Sequence, residues 1–263
     1  MKKTRIWELD FLRGFAIIMM IFDHLNYDFR NIDSYFSNFN EVNNTVFNWL
    51  NNTAVLYWSS ELRFFGHIFF VALFLLISGI SFTFSKSNLS RSLKLLIVAG
   101  LITGITALLQ EVTGMRVFII FGIIHMYGFA TLITYLFRKL WNNDIFIFTV
   151  GSLIIIWGIS FEFWQLNYIH ALSFEAIPGI ILGTKAFGAD YFGLVPYTGI
   201  IMIGTVIGNV FYKNRVSLIP NAKITEKNIF TFVGRNSLII FLTHQFVLLG
   251  LVYMIGYLFG YRI

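Results

Sequence analysis

The sequence predicts an all-α fold, a polytopic bundle of membrane-spanning helices, and three observations carry that expectation. Of 263 residues, 57% are apolar and only 12% charged, against roughly 25% charged in an ordinary soluble domain. Mean hydropathy is +0.74. Seven stretches, residues 10–29, 64–85, 92–110, 117–137, 145–163, 193–212 and 230–253, approach the roughly 20 apolar residues that a helix needs to cross the hydrocarbon layer. The same composition excludes a water-soluble fold. With no Cys in the chain, disulfides, thiolate nucleophiles and Cys-ligated metals are excluded as well.

The distribution of charge orients the spans. With the N-terminus in the cytoplasm, the outer side keeps only Arg30, Arg63, Arg116, Lys185 and Arg262 of the 19 basic residues. The other 14, from Lys2, Lys3 and Arg5 through Lys223, Lys227 and Arg235, fall inside, as the positive-inside rule requires. The formal charge of +6 is therefore a polarity across the membrane, and scattered short loops give no surface for nucleic acid.

The first stretch begins like a signal peptide, with basic residues ahead of an apolar run. It lacks a small-residue cleavage site, carries Arg13 and Asp23 at its edges, and is followed by six more spans, so it reads as a retained first helix. The loop from Arg30 to Arg63 interleaves Asn with Tyr35, Phe36, Phe39, Phe47, Trp49, Tyr57 and Trp58, which predicts a partly helical cap at headgroup level. A second outer stretch, 165–196, is apolar and broken by Pro178, Gly179, Gly183 and Gly188. Such a segment is tolerated at membrane depth only where protein or a wet cavity shields its backbone. Without a soluble appendage or repeat, residues 1–263 read as one transmembrane domain.

Ionisable residues inside spans cost about 2.5 to 3.5 kcal/mol each on insertion scales and mark function by default. In the first span Arg13 and His24 are eleven residues apart, close to three turns, so both project from one stripe roughly 16 Å apart along the axis. Asp28, four residues on, can reach back to the His24 ring. In the second span His67 and Ser78 repeat the eleven-residue spacing, the serines reading as packing residues. His125 lies between Gly122 and Gly128, and Ser237 and His244 share a face of the last span, with Arg235 and Asn236 at its cytoplasmic mouth. All five histidines fall outside the midplane while basic residues concentrate inside. The pattern suggests an anion-binding mouth in the cytoplasm and proton transfer toward the exterior. Snorkelling to lipid phosphate is the bland alternative for Arg13 and Arg235, and packing the alternative for His125 and His244.

Several motifs carry a family resemblance. The opening Arg5-Ile-Trp-Glu-Leu-Asp-Phe-Leu-Arg13-Gly-Phe-Ala, continuing to His24 and Tyr27-Asp28, resembles the heparan-alpha-glucosaminide N-acetyltransferase catalytic-domain family, in particular its short bacterial members. Its Arg-x10-His spacing is similar to that of the wider transmembrane acyltransferases. Phe74 to Ser81 with Ser90-Arg91, Phe121 to His125, Asp190 to Gly199, and Gly234 to Gln245 fit in the same order. The resemblance implies transfer of an acetyl or other short acyl group from cytoplasmic acyl-CoA to a hydroxyl or amine of a glycan-like acceptor at the outer face. It implies no metal and a multi-pass location in a bacterial cytoplasmic membrane; a homo-oligomer is compatible with it.

Arg13 and His24 would then carry donor positioning and the role of base or acetyl carrier. In lysosomal relatives the catalytic His lies in the first non-cytoplasmic loop, which here holds none between His24 and His67, making His67 the reserve candidate. Arg13, Arg91, Lys94 and Arg235 would hold the donor's phosphates, with Asn236, His125 and His244 completing the donor site. Asp28 would orient the His24 ring. A proton-coupled small-molecule transporter is the alternative reading of the same intramembrane charges, weakened by the lack of an inverted repeat. A haem protein using His24, His125 and His244 and a retinal protein, for which the seventh span offers no Lys, are further alternatives.

Overall fold

A computed structural model describes residues 6–114, 116–160, 167–220 and 228–263. Lys2, Lys3, Arg5, Lys223, Lys227, the last residues of the fifth predicted span and the first two of the 165–196 stretch lie outside the described residues. In order, the helices are α1 (Trp7–Arg30), α2 (Ile32–Tyr35), α3 (Phe39–Val42), α4 (Thr45–Trp58), α5 (Glu61–Phe82), α6 (Asn88–Thr113), α7 (Ile123–Leu140), α8 (Asp144–Ser160), α9 (Ile177–Leu182), α10 (Tyr197–Phe211), α11 (Ile229–Arg235) and α12 (Ser237–Leu258). Among the described residues there is no β-strand, only a bridge between Tyr168 and Ala186, and the all-α expectation holds.

Three of these helices, α5, α6 and α12, are long and apolar enough to cross a membrane, and α8 and α10 are apolar but shorter. The first helix, at 24 residues, has the length, but Asp10, Arg13, Asp23 and Asp28 interrupt its apolar character. Ile97, Leu101 and Ile105 on α6, and Phe246, Val247 and Leu251 on α12, are exposed, as lipid-facing side chains are.

Three predicted helix boundaries differ, each for a local reason. Residues 117–122 are irregular rather than helical because their backbone bonds elsewhere: the Ile119 N–H donates to Thr106 Oγ1 at 3.1 Å, and the Phe118 and Phe121 carbonyls accept from Ala189 and Phe192. The helix begins at Ile123, whose N–H donates to Asp190 Oδ2 at 3.1 Å. The sixth begins only after Pro196, which cannot donate to a preceding turn. The seventh is divided at Asn236, whose side-chain amide takes the Phe232 carbonyl at 2.9 Å, a local bond that competes with the helix ladder.

Two compact units divide the chain, Met1–Phe74 with Ile219–Ile263, and Leu75–Leu218. In the first, α11 crosses α1 with backbone almost on backbone: a Cβ at Gly14 would stand 1.8 Å from the Phe230 carbonyl oxygen, and one at Gly234 1.8 Å from that of Asp10. Close approach of this kind replaces the hydrophobic drive that lipid removes. The 30–63 loop of this unit is indeed partly helical. Asn44 caps α4, its Oδ1 accepting from Val46 N at 2.9 Å, and Ile32, Phe36, Phe39 and Phe47 pack with Val252 and Tyr261 into a buried cluster. Ser37 and Asn38 bond the 260–262 backbone, which fixes the loop over the end of α12.

In the second unit Gly79 meets Gly204 and Gly151 meets Gly199 at further helix crossings. Arg138, at the end of α7, donates to Asp144 Oδ1 at 2.5 Å and to Thr205 Oγ1 at 2.7 Å, while Asn209 donates to Asp144 at 2.9 Å. This clip ties α7, α8 and α10. The described part of the apolar 165–196 stretch shields its own backbone. A short 3-10 turn leads into α9, Gly183 and Gly188 turn the chain at positive φ, and Leu194 and Val195 donate back to Ile181 and Leu182.

Candidate active site

The polar side chains of the first unit fall into three groups along α1. Toward its start, Arg13 donates to Asp10 Oδ1 at 3.2 Å and to the Gly234 carbonyl at 3.4 Å. Arg235 Nε lies 3.7 Å from Asp10 Oδ2. The Gly14–Gly234 crossing is what brings the two guanidiniums onto one carboxylate. Arg13 and Arg235 thus meet at the Asp10 carboxylate.

Further along α1, the rings of His24 and His244 stand edge to face, centroids 4.9 Å apart and planes at 89°. His24 Nδ1 is 2.9 Å from the Met20 carbonyl and His244 Nδ1 is 2.6 Å from that of Phe241. A carbonyl can only accept, so in each neutral ring Nδ1 carries the hydrogen and Nε2 presents its lone pair. The backbone thus sets both tautomers, a task otherwise given to a carboxylate. His244 Nε2 is enclosed and has no hydrogen-bond partner among the described residues.

The Asp28 carboxylate, fully buried, does not orient the His24 ring. It accepts from Tyr35 Oη at 3.1 Å and from Gln245 Nε2 at 2.9 and 3.1 Å. Donors from α2 and α12 take its oxygens, so Asp28 fastens the cap and α12 to α1 instead. Burial, and then the Asp28 charge, push the Tyr35 phenol far above its ordinary range.

The third group centres on Asp23, which Arg63 grips with two bonds of 3.0 Å. Tyr57 Oη donates to the same carboxylate at 3.1 Å, and His67 Nδ1 is 3.7 Å from it. The Arg63 guanidinium lies 3.8 Å over the Trp58 ring, adding a cation–π contact to the fork. Asp23 is thus the hub that holds α4 and α5 on α1. Burial, and then the Asp23 charge, raise the Tyr57 phenol to about 12, against about 10 in an unfolded chain. The neutral phenol is the form the fold favours, so its contribution is intact below pH 10 and fades as pH rises toward 12. Stability is expected to fall across that alkaline window and Tyr57→Phe to flatten the fall, as denaturation midpoints at stepped pH will show.

Of the remaining candidates, Arg91, Lys94 and His125 lie in the second unit. Arg91 bonds the Tyr127 hydroxyl, and Lys94 is exposed on α6. His125 is buried with both ring nitrogens bonded. Gly122 N–H donates to Nδ1 at 3.3 Å, so Nε2 carries the hydrogen and faces Thr103 Oγ1 at 2.9 Å. In this arrangement His125 joins α7 to α6. Asn236 stands exposed at the division between α11 and α12. Sequence reasoning missed Asp23, Arg63, Tyr35 and Gln245. Only Asp23, ionisable inside a span, carried a signal that could have flagged it.

Comparison with known proteins gives the class first. Residues 5–52 and 43–246 match the family described as heparan-alpha-glucosaminide N-acetyltransferase, catalytic, which points to a membrane acetyltransferase. The chain belongs to this family, as the resemblance of its motifs anticipates. No curated protein and no solved structure matches the chain.

Proposed function

We propose that the chain moves an acetyl or other short acyl group from cytoplasmic acyl-CoA to a hydroxyl or amine of a glycan-like acceptor at the outer face of a bacterial cytoplasmic membrane. One observation carries the reading. A single unbroken helix holds Arg13, beside Arg235 at the Asp10 carboxylate, and His24, whose Nε2 is left as a base by the Met20 carbonyl. Over eleven residues that separation is roughly 16 Å, a distance suited to a donor with an anionic nucleotide at one end, a thin arm, and a thioester at the other. Arg13 and Arg235 hold the phosphates by charge-assisted hydrogen bonds, and the His24 imidazole either removes the acceptor's proton or attacks the thioester. Seven spans with a cytoplasmic N-terminus put the donor end on the side where acyl-CoA is made.

Detergent-purified protein, given acetyl-CoA labelled in the acetyl group, is expected to bind it and release CoA thiol when an amino sugar or polyol is added, with label in the acceptor. Uptake of a solute by proteoliposomes without any acyl donor, and no label transfer, would assign the chain to the transporters instead.

A further inference from the structure

We propose that His244 is a second catalytic residue, whose Nε2 takes the proton of the group that attacks the acyl carbon; the proposal rests on the acyl-transfer reading above. The structure singles out this nitrogen in two ways. Its ring partner Nδ1 is committed at 2.6 Å to the Phe241 carbonyl, which leaves Nε2 as an acceptor with no hydrogen of its own. It is enclosed, and no described residue gives it a donor. An enclosed acceptor without a donor is costly, and lipid cannot relieve it as water would.

The next residue repeats the situation. Gln245 turns its amide nitrogen onto both oxygens of Asp28, so its Oε1 is the other end of a fixed amide, and that oxygen is also enclosed without a partner among the described residues. Two successive residues of α12 thus present unsatisfied acceptors, and what satisfies an acceptor is an X–H group. A hydroxyl or amine nucleophile arrives with such a group, and the ring of His24 is 4.9 Å away. In the step itself, His24 Nε2 bonds to the acyl carbon as the C–S bond breaks, its electron pair leaving with the CoA sulfur, and X then bonds to the acyl carbon as the bond to His24 breaks and its pair returns to Nε2. The X–H proton passes to His244 Nε2. The imidazolium then returns it to the thiolate, giving CoA thiol and restoring the neutral ring. His24 is left to meet the acyl group, so acyl group and proton are handled by separate imidazoles.

Two acceptors test this with the full chain in detergent and acetyl-CoA as donor. Water needs a base to attack, whereas hydroxylamine, already a strong neutral nucleophile, needs little help. In His244→Ala, and in His244→Gln, which fills the site without a base, CoA release to water is expected to fall about 100-fold or more. Release to hydroxylamine, corrected for the enzyme-free rate, is expected to stay within about threefold of wild type. Equal loss with both acceptors in both variants means a structural role and overturns the proposal, as does no loss with either. His24→Ala is expected to lose both. A wild-type protein that releases no CoA to either acceptor sinks the acyl-transfer reading itself, an outcome distinct from failure at His244 alone.

Discussion

Alanine at His24 is expected to abolish acyl transfer, because the ring that would take the acyl group from the thioester is gone while His244 supplies only the base. The loss should fall on kcat. On the proposed reading the donor's phosphates sit at the other end of α1, so KM for acetyl-CoA is expected to stay near the wild-type value. Arg13→Ala should show the opposite division, with KM raised and kcat less affected, because it removes binding common to ground and transition states. Part of the Arg13→Ala effect will be structural, since Asp10 then keeps only Arg235. Labelled acetyl-CoA and mass spectrometry of the intact protein add a second readout: label on the wild-type chain that disappears with His24 identifies the carrier. Undiminished turnover in His24→Ala would move the assignment to His67, which already stands beside a carboxylate.

The second large effect is on folding. Valine at Gly234 puts a branched side chain where even a Cβ would lie 1.8 Å from the Asp10 carbonyl oxygen and 3.0 Å from Gly14 N. Both obstacles are backbone, so no rotamer change relieves them, and α11 must leave α1. Overpacking usually costs about 1 to 3 kcal/mol and occasionally more, and a backbone obstacle belongs at or beyond the upper end. The variant is expected to lose its cooperative thermal transition in detergent or to melt well below wild type. Valine at Gly250, where an added Cβ meets nothing within 4 Å, is the matched control and should melt like wild type. Similar melting of the two variants would refute the crossing as the anchor of α11.

These cases mark what was legible in the sequence. Hydropathy reads composition, so the helices with few charges, α5, α6 and α12, were visible directly. The aromatic run between Arg30 and Arg63 was visible as a cap for the same reason. Where the chain bonds to something distant, local pattern fails. Residues 117–122 look as helical as their neighbours, and bonds to Thr106 and to the 189–192 backbone draw them out of the helix. Asp28 is placed by helical spacing within reach of His24, yet spacing cannot say that Tyr35, seven residues away, and Gln245, 217 away, offer better donors. The pairing of His24 with His244 was hidden likewise. Each was visible as a histidine in the outer half of a span, but their meeting depends on how far α12 rotates against α1, which the Asp28–Gln245 bonds fix and the pattern does not record. Arg63 was counted as an outer charge, and nothing in its neighbourhood showed that Asp23 would claim it.

The Arg138–Asp144 pair bears on how the chain enters its membrane. A lone arginine or aspartate at the end of a span is a burden to insertion, but these two are six residues apart, at the end of one helix and the start of the next. As soon as α7 and α8 form a hairpin the charges can cancel, before any later helix is made. Thr205 and Asn209 are synthesised some sixty residues later. Until they arrive, the hairpin holds a neutral but incompletely bonded ion pair, ready to be joined by α10. The order of synthesis is thus written into the bonding: neutralise first from within the hairpin, then complete the hydrogen bonds with the helix that follows.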